Sequence, residues 1–355
     1  MRVGIVSFRL GAADGVSRAA ALLARSFADL GHETLTVAGE GAVDRLVPGL
    51  SPAGGAPSLS AFQAAIDDLD LVVVENLLTI PLHLPASRVV AEALRGRPAV
   101  LRHFDPPWQR ARFAHVTELP VDDPEWLSIT VSRYTERQLR ARGIPAVTHY
   151  LGFDAPGPAD RAAARSALGV ADNELLCLHP VRAIERKNVP AALDLVHHIG
   201  GTYWLSGAAE EDYAATAERI VAEAPVRTIW RGFDDMGVDN AYAAADLVVF
   251  PSTWEGFGLP PIEAAFRRRL VVVGDYPVGR ELRSAGFEWP ACDDVPRLDR
   301  LLGDPADRHA VVEHNLSVAE AHFSQRAATE RLAQVLEEWP TTRGAATAAC
   351  GRRGQ

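Results

Sequence analysis

Short apolar runs alternate with longer stretches in which apolar positions recur every three or four residues, and the alternation starts at the first residues. Runs of four to six apolar residues suit strands buried on both faces, and the longer period suits helices packed on a sheet. The pattern predicts strands over 3–8, 33–37, 71–74, 99–102, 128–131 and 147–150, with helices over 17–30 and 132–142, each followed by a terminating glycine, Gly31 and Gly143. A Pro- and Gly-rich stretch from Gly152 to Asp160 then reads as a linker. Beyond it the alternation restarts, with strands over 174–179, 202–206, 226–231, 247–251 and 270–274 and helices over 189–198, 212–224, 240–245 and 260–268. A helical region follows, then a polar tail. Repeated β–α–β punctuation predicts two doubly wound parallel sheets in tandem, with a cleft between them as the expected ligand site.

Length agrees with two domains. At 355 residues the chain exceeds one ordinary core. The boundaries read from the punctuation are 1–153 and 154–340, with the last helix able to pack back on the first domain and 341–355 as a flexible tail. A net charge of −10 disfavours a nucleic-acid partner, which requires concentrated positive charge. Three cysteines, Cys177, Cys292 and Cys350, are widely spaced with no CxxC pair, which suits a reducing compartment and supplies no metal framework. Met1 leads into a strand with no long apolar stretch behind it, so neither a signal peptide nor a stable membrane insertion is expected, and the cytoplasm is the expected compartment. Oligomeric state is not readable.

One feature of composition is chemical. Of the 36 basic residues, 35 are Arg and one, Lys187, is Lys. Lys187 shares a strand-to-helix loop with Arg182, and a guanidinium and an ammonium there can hold a diphosphate. Arg186 and Glu185, on the same loop, read as a solvated pair. The segment from Trp254 to Glu263 carries more signal. A buried strand ends at Pro251, a glycine-spaced loop follows, and Pro260 and Pro261 open a helix. The carboxylates of Glu255 and Glu263 can accept hydrogen bonds from sugar hydroxyls, and the backbone at Gly256 and Gly258 permits close approach.

Two further loops leave both a functional and a structural reading open. Asp14 to Arg18, with Gly15, Val16 and Ser17, can present amides to an anion, or Asp14 or Ser17 can cap the helix. His103 and Asp105, at a strand's C-terminal end, can meet a sugar hydroxyl; equally, His103 can sit satisfied under Trp108 and Asp105 can shape a turn before Pro106 and Pro107. The acidic pairs at 67–68, 122–123, 234–235 and 293–294 have no DxD arrangement, so no metal site is expected.

Taken together, Glu255 to Glu263, the Arg182/Lys187 loop, the glycine-bearing first loop, the linker at Gly152–Asp154 and Tyr242–Asp246 resemble the retaining glycosyltransferases of GT-B fold, family 4, with their EX7E motif. The resemblance implies two Rossmann-like domains and transfer of a hexose from a UDP-, GDP- or ADP-type donor to an unknown acceptor, without metal or other cofactor. It implies that Arg182 and Lys187 bind the diphosphate, Glu255 the sugar and Glu263 the ribose. Gly256, Phe257, Gly258 and Leu259 would approach sugar and phosphate. Gly15, Val16 and Ser17 would lie near phosphate or acceptor, and Arg231 near the base. The family's His immediately before an Asp is displaced here, because Phe104 precedes Asp105 and His103 stands one position earlier, on the opposite strand face. A sugar-nucleotide epimerase or hydrolase of the same shape, or a binding protein without turnover, are the competing readings.

Overall fold

The computed structural model describes residues 1–11, 14–210, 212–233 and 235–339, so Cys350 and the tail expected from 341 lie outside the described residues. The chain forms two compact units. The first comprises Met1–Phe153 and the chain from Ser324 onward, and the second Asp154–Phe323.

In the first unit the elements run β1 (Arg2–Arg9), α1 (Gly15–Asp29), β2 (Glu33–Glu40), β3 (Arg45–Leu46), α2 (Leu59–Ile66), β4 (Leu71–Glu75), α3 (Leu84–Leu94), β5 (Ala99–His103), β6 (Trp126–Thr130), α4 (Arg133–Arg140) and β7 (Ala146–Thr148). All strands are parallel, in the order β3-β2-β1-β4-β5-β6-β7. The continuous apolar runs are explained by the two cores they serve. Val72 and Val74 join Leu101, Phe62, Val90 and Leu94 on one face, whereas Leu71 and Val73 join Val100, Leu23 and Phe27 on the other. Successive side chains of a strand point to opposite faces, so a strand covered on both sides must be apolar throughout.

In the second unit the order is α5 (Arg161–Leu168), β8 (Leu176–His179), α6 (Val189–Ile199), β9 (Thr202–Leu205), α7 (Ala214–Ala222), β10 (Thr228–Trp230), α8 (Val238–Ala244), β11 (Leu247–Phe250), α9 (Leu259–Phe266), β12 (Leu270–Val273), α10 (Pro277–Ser284), α11 (Val295–Gly303) and α12 (Pro305–Phe323). Its parallel sheet has the order β10-β9-β8-β11-β12. The order reverses between β8 and β11, and the crevice outside the carboxyl ends of such a strand pair is where open α/β sheets receive ligands.

The last described helix, α13 (Gln325–Glu338), belongs to the first unit. Leu332 and Val335 complete the core under α1, and Gln325 Nε2 donates to Leu22 O and Ser26 Oγ at 2.8 and 2.9 Å. Gly152 faces this helix, where an added Cβ would meet the Ala328 methyl at 2.9 Å.

Candidate functional site

The loops after β8 and β11 converge because their strands are neighbours. The β8 loop contains a short 3₁₀ turn, Glu185–Lys187, and Asn188 then adopts a left-handed conformation at φ 56° before Pro190 opens α6. The amide of Thr253 donates to Arg186 O at 2.9 Å, locking the two loops together through backbone. Lys187 Nζ reaches Glu255 Oε1 at 2.5 Å, and Arg186 Nη1 reaches Glu255 Oε2 at 2.8 Å. The Lys187 and Glu255 side chains are 10 % and 7 % exposed.

Burial acts against both charges. It pulls the Lys187 ammonium down to about 8, although the Glu255 charge opposes the shift. Burial also penalises the Glu255 carboxylate, but Lys187, Arg186 and the Ser252 hydroxyl together outweigh that penalty and hold it at about 2. The pair is therefore ionised at neutral pH. His179, at the end of β8, is fully buried with Nδ1 at 2.8 Å from the Tyr203 hydroxyl, and burial takes it down to about 3, so it is neutral beside the ammonium.

Arg186 is a correction to the sequence reading. It was expected as a solvated partner of Glu185, yet its guanidinium donates to Glu255 and to Trp254 O and lies 5.9 Å from the centre of the Trp254 ring. Nothing in the sequence distinguishes it from the other arginines. Arg182 stands differently: it pairs with Glu210 at 2.5 Å, both side chains being about two-fifths exposed, at 40 % and 43 %. An exposed pair of this kind contributes about 0–1 kcal/mol and is readily exchanged for a stronger anion.

The glycine loop leads from Glu255 into α9. Gly258 holds φ 94°, and an added Cβ would meet the Tyr276 hydroxyl at 2.8 Å, so a side chain there is excluded twice over. No side chain caps α9, and Leu259 is its first residue. Phe257 is buried, with its ring 6.1 Å from that of Phe323, while Gly256 is half-buried. Glu263, one turn into the helix, is buried, and its Oε2 accepts from the Tyr242 hydroxyl at 2.6 Å. The Arg267 guanidinium stacks 5.1 Å over the Tyr242 ring and pairs with Asp239 at 2.6 Å, which fixes the phenol against Glu263.

Arg231 follows the edge strand β10. Its Nη1 donates to Ala167 O at 2.8 Å and its Nη2 to Asp235 at 3.1 Å, while its carbonyl accepts the Trp204 indole at 2.7 Å. Phe233 stands edge-on to Trp204 at 5.5 Å.

Two predicted groups in the first unit have partners within the protein. Asp14 Oδ1 accepts from the amides of Val16 and Ser17, each at 3.0 Å, and its Oδ2 accepts from Ser17 Oγ at 2.8 Å. Gly15, Val16 and Ser17 thus begin a helix capped by the acid that precedes it. His103 is fully buried, with Nδ1 2.6 Å from Thr79 Oγ1 and Nε2 3.1 Å from Ser128 Oγ. Both ring nitrogens are thus engaged across the sheet. Asp105 is partly exposed and accepts from Arg110 Nη1 at 3.1 Å and from Asn76 Nδ2 at 3.3 Å.

The structure of Anabaena Alr3699/HepE in complex with UDP-glucose superposes with a TM-score of 0.73 at 19 % identity, covering 95 % of this chain and 99 % of that one. Sucrose-phosphate synthase from Thermosynechococcus elongatus gives 0.72 at 18 % identity, covering 95 % and 98 %. The fold is GT-B. Residues 160–290, which hold Arg182, Lys187, Arg231, Glu255 and Glu263, match the family model described as "Glycosyl transferases group 1". Mannosylglucosylglycerate synthase of Thermotoga maritima is 24 % identical over 331 residues, spanning 77 % of this chain and 76 % of the relative. No helix among the described residues of this GT-B chain is long and apolar enough to cross a membrane.

Proposed function

We propose that the chain is a retaining glycosyltransferase that moves a hexose from a nucleotide-diphosphate sugar to an acceptor hydroxyl. The observation carrying this reading is the convergence of Lys187, Arg186 and Glu255 at the carboxyl ends of β8 and β11, where the strand order reverses. Charge grows on the departing diphosphate as the glycosidic bond lengthens. Lys187 and Arg182, drawn from Glu255 and Glu210, stabilise that charge, and the uncapped start of α9 adds its dipole. Glu255 accepts from sugar hydroxyls and Glu263 from the ribose. The acceptor hydroxyl approaches on the leaving-group face and the departing phosphate takes its proton, so neither glutamate serves as a nucleophile.

The match over 160–290 supports sugar transfer, and the UDP-glucose held by a structural neighbour makes UDP-hexoses the first donors to try. The name of the Thermotoga maritima relative adds mannosyl donors to that set. Because the cations come from side chains, no metal is needed for the diphosphate. A thermal-shift screen of UDP, GDP, ADP and dTDP sugars selects the donor, and NMR of the reaction with an acceptor panel, with and without EDTA, reads the product. A product keeping the donor's anomeric configuration, formed equally with EDTA, is expected. Isomerised or hydrolysed donor without transfer, or binding with no product, would replace this reading with an epimerase, a hydrolase or a sensor.

A further inference from the structure

The phenol of Tyr276 lies behind the Glu255–Gly258 loop, and its hydroxyl is buried without a hydrogen-bond partner among the described residues. The residue follows β12 and precedes α10, and it is 1 % exposed. Its ring is held on two sides: Phe250 meets it edge-on at 6.3 Å, and a Cβ added to Gly279 would come within 3.1 Å of its Cε1 and Cζ. The hydroxyl end faces the site. A Cβ added to Gly258 would lie 2.8 Å from Tyr276 Oη and 3.7 Å from Glu255 Cγ, so phenol and carboxylate side chain flank one point that glycine leaves open. The Glu255 charge is also felt there: after burial, it is the next cause that keeps the Tyr276 phenol protonated.

An unmatched buried hydroxyl is unfavourable, and the other two buried tyrosines of this unit are matched, Tyr203 with His179 and Tyr242 with Glu263. The Glu255 carboxylate supplies the missing partner under one condition. While Lys187 and Arg186 hold Glu255, its charge is satisfied. When an anion draws Lys187 away, a carboxylate that is 6 % exposed keeps Arg186 and the nearby Ser252 hydroxyl but loses one counter-charge, and a further donor then stabilises it. We propose that Tyr276 is a positioning residue whose phenol takes over the Glu255 carboxylate, as hydrogen-bond donor, when a diphosphate draws Lys187 away. The proton stays on the phenol, and Glu255 keeps its charge and its direction toward the sugar. This proposal rests on the donor role of Lys187 proposed above.

A double-mutant cycle followed by chemical denaturation tests it without any donor. In the wild-type background Tyr276→Phe removes an unmatched hydroxyl and costs no stability. In the Lys187→Met background, where Glu255 has lost that cation, Tyr276→Phe shifts the unfolding equilibrium further by about tenfold. Lys187→Gln serves for the same cycle if Lys187→Met does not fold. In parallel, inorganic pyrophosphate raises the Tm of the wild type, and raises that of Tyr276→Phe by less. An equal effect of Tyr276→Phe in both backgrounds overturns the proposal. Coupling in the cycle with no pyrophosphate shift in the wild type leaves Tyr276 standing and removes the diphosphate role of Lys187. A pyrophosphate shift lost with Lys187→Met, but with no coupling in the cycle, does the reverse.

Discussion

Lys187 Nζ and Glu255 Oε1 stand 2.5 Å apart although 68 residues separate them, and this ion pair ties the loop after β8 to the loop after β11. The chain's single lysine and the first glutamate of its glycine loop therefore form one charged unit. Their mutual neutralisation sets what either can do alone.

Lys187→Ala removes the cation and strands the carboxylate. The variant is expected to lose about 3–5 kcal/mol of stability, because breaking a buried pair leaves an uncompensated charge. Arg186 still contacts Glu255, which favours the lower end of that range. Turnover is expected to fall by about 10²–10³, the effect of removing one preorganised donor. Lys187→Met combined with Glu255→Leu is expected to recover part of the stability, because Arg186 also loses its partner, and none of the turnover. Urea denaturation and donor consumption, measured on the same samples, separate the two effects. Near-normal turnover in Lys187→Ala would contradict the assignment.

The two shifted ionisations give opposite pH limbs. Lys187 ionises at about 8 in place of 10.5, so diphosphate affinity is expected to fall as pH rises through 8. Binding restores the ammonium, so calorimetry at pH 8.5 in buffers of different ionisation enthalpy is expected to show net proton uptake. Glu255 is held at about 2, below its ordinary 4.5, so the folded state releases that proton more readily than the unfolded chain. Its contribution to stability is full above 4.5 and disappears as pH falls through about 2. Glu255→Gln is therefore expected to be less stable than wild type at pH 7, with the difference closing toward acid pH.

Tyr242→Phe deletes the hydroxyl that donates to Glu263 Oε2. The carboxylate loses that restraint, and nucleoside diphosphate affinity is expected to weaken by about tenfold, the value of one hydrogen bond to a charged group. Calorimetric titration with UDP and GDP reads the change. An unchanged Kd for the nucleotide that binds would remove Glu263 from the ribose site.

His103→Phe tests the core role against the sugar-contact role. Thr79 and Ser128 each lose their partner on the imidazole, and stability is expected to fall by about 1–3 kcal/mol. Donor affinity is expected to stay at the wild-type value. A drop in affinity with unchanged denaturation would restore His103 to the sugar site.

The sequence by itself determined the two-sheet architecture, because strands buried on both faces cannot hide their continuous apolar runs and helices cannot hide their period. It also exposed residues whose type is unusual for their surroundings: the lone Lys187, and Glu255 and Glu263 flanking GFGLPP. Two helices of the first unit, α2 and α3, fall outside the predicted set; each follows a proline-bearing loop, with Pro52 and Pro57 before α2 and Pro81 before α3, that breaks the apolar period. What only the tertiary structure decided was who partners whom. Arg186 looks like any other arginine until β11 brings Glu255 beside it. Asp14 turns an apparent anion loop into a closed cap through bonds to Val16 and Ser17. His103 and Tyr276 differ in sequence only as polar residues near strand ends; packing satisfies both nitrogens of one and leaves the hydroxyl of the other unmatched. Local pattern fixes which face a side chain takes, but the energy of a polar group depends on neighbours that arrive from elsewhere in the chain.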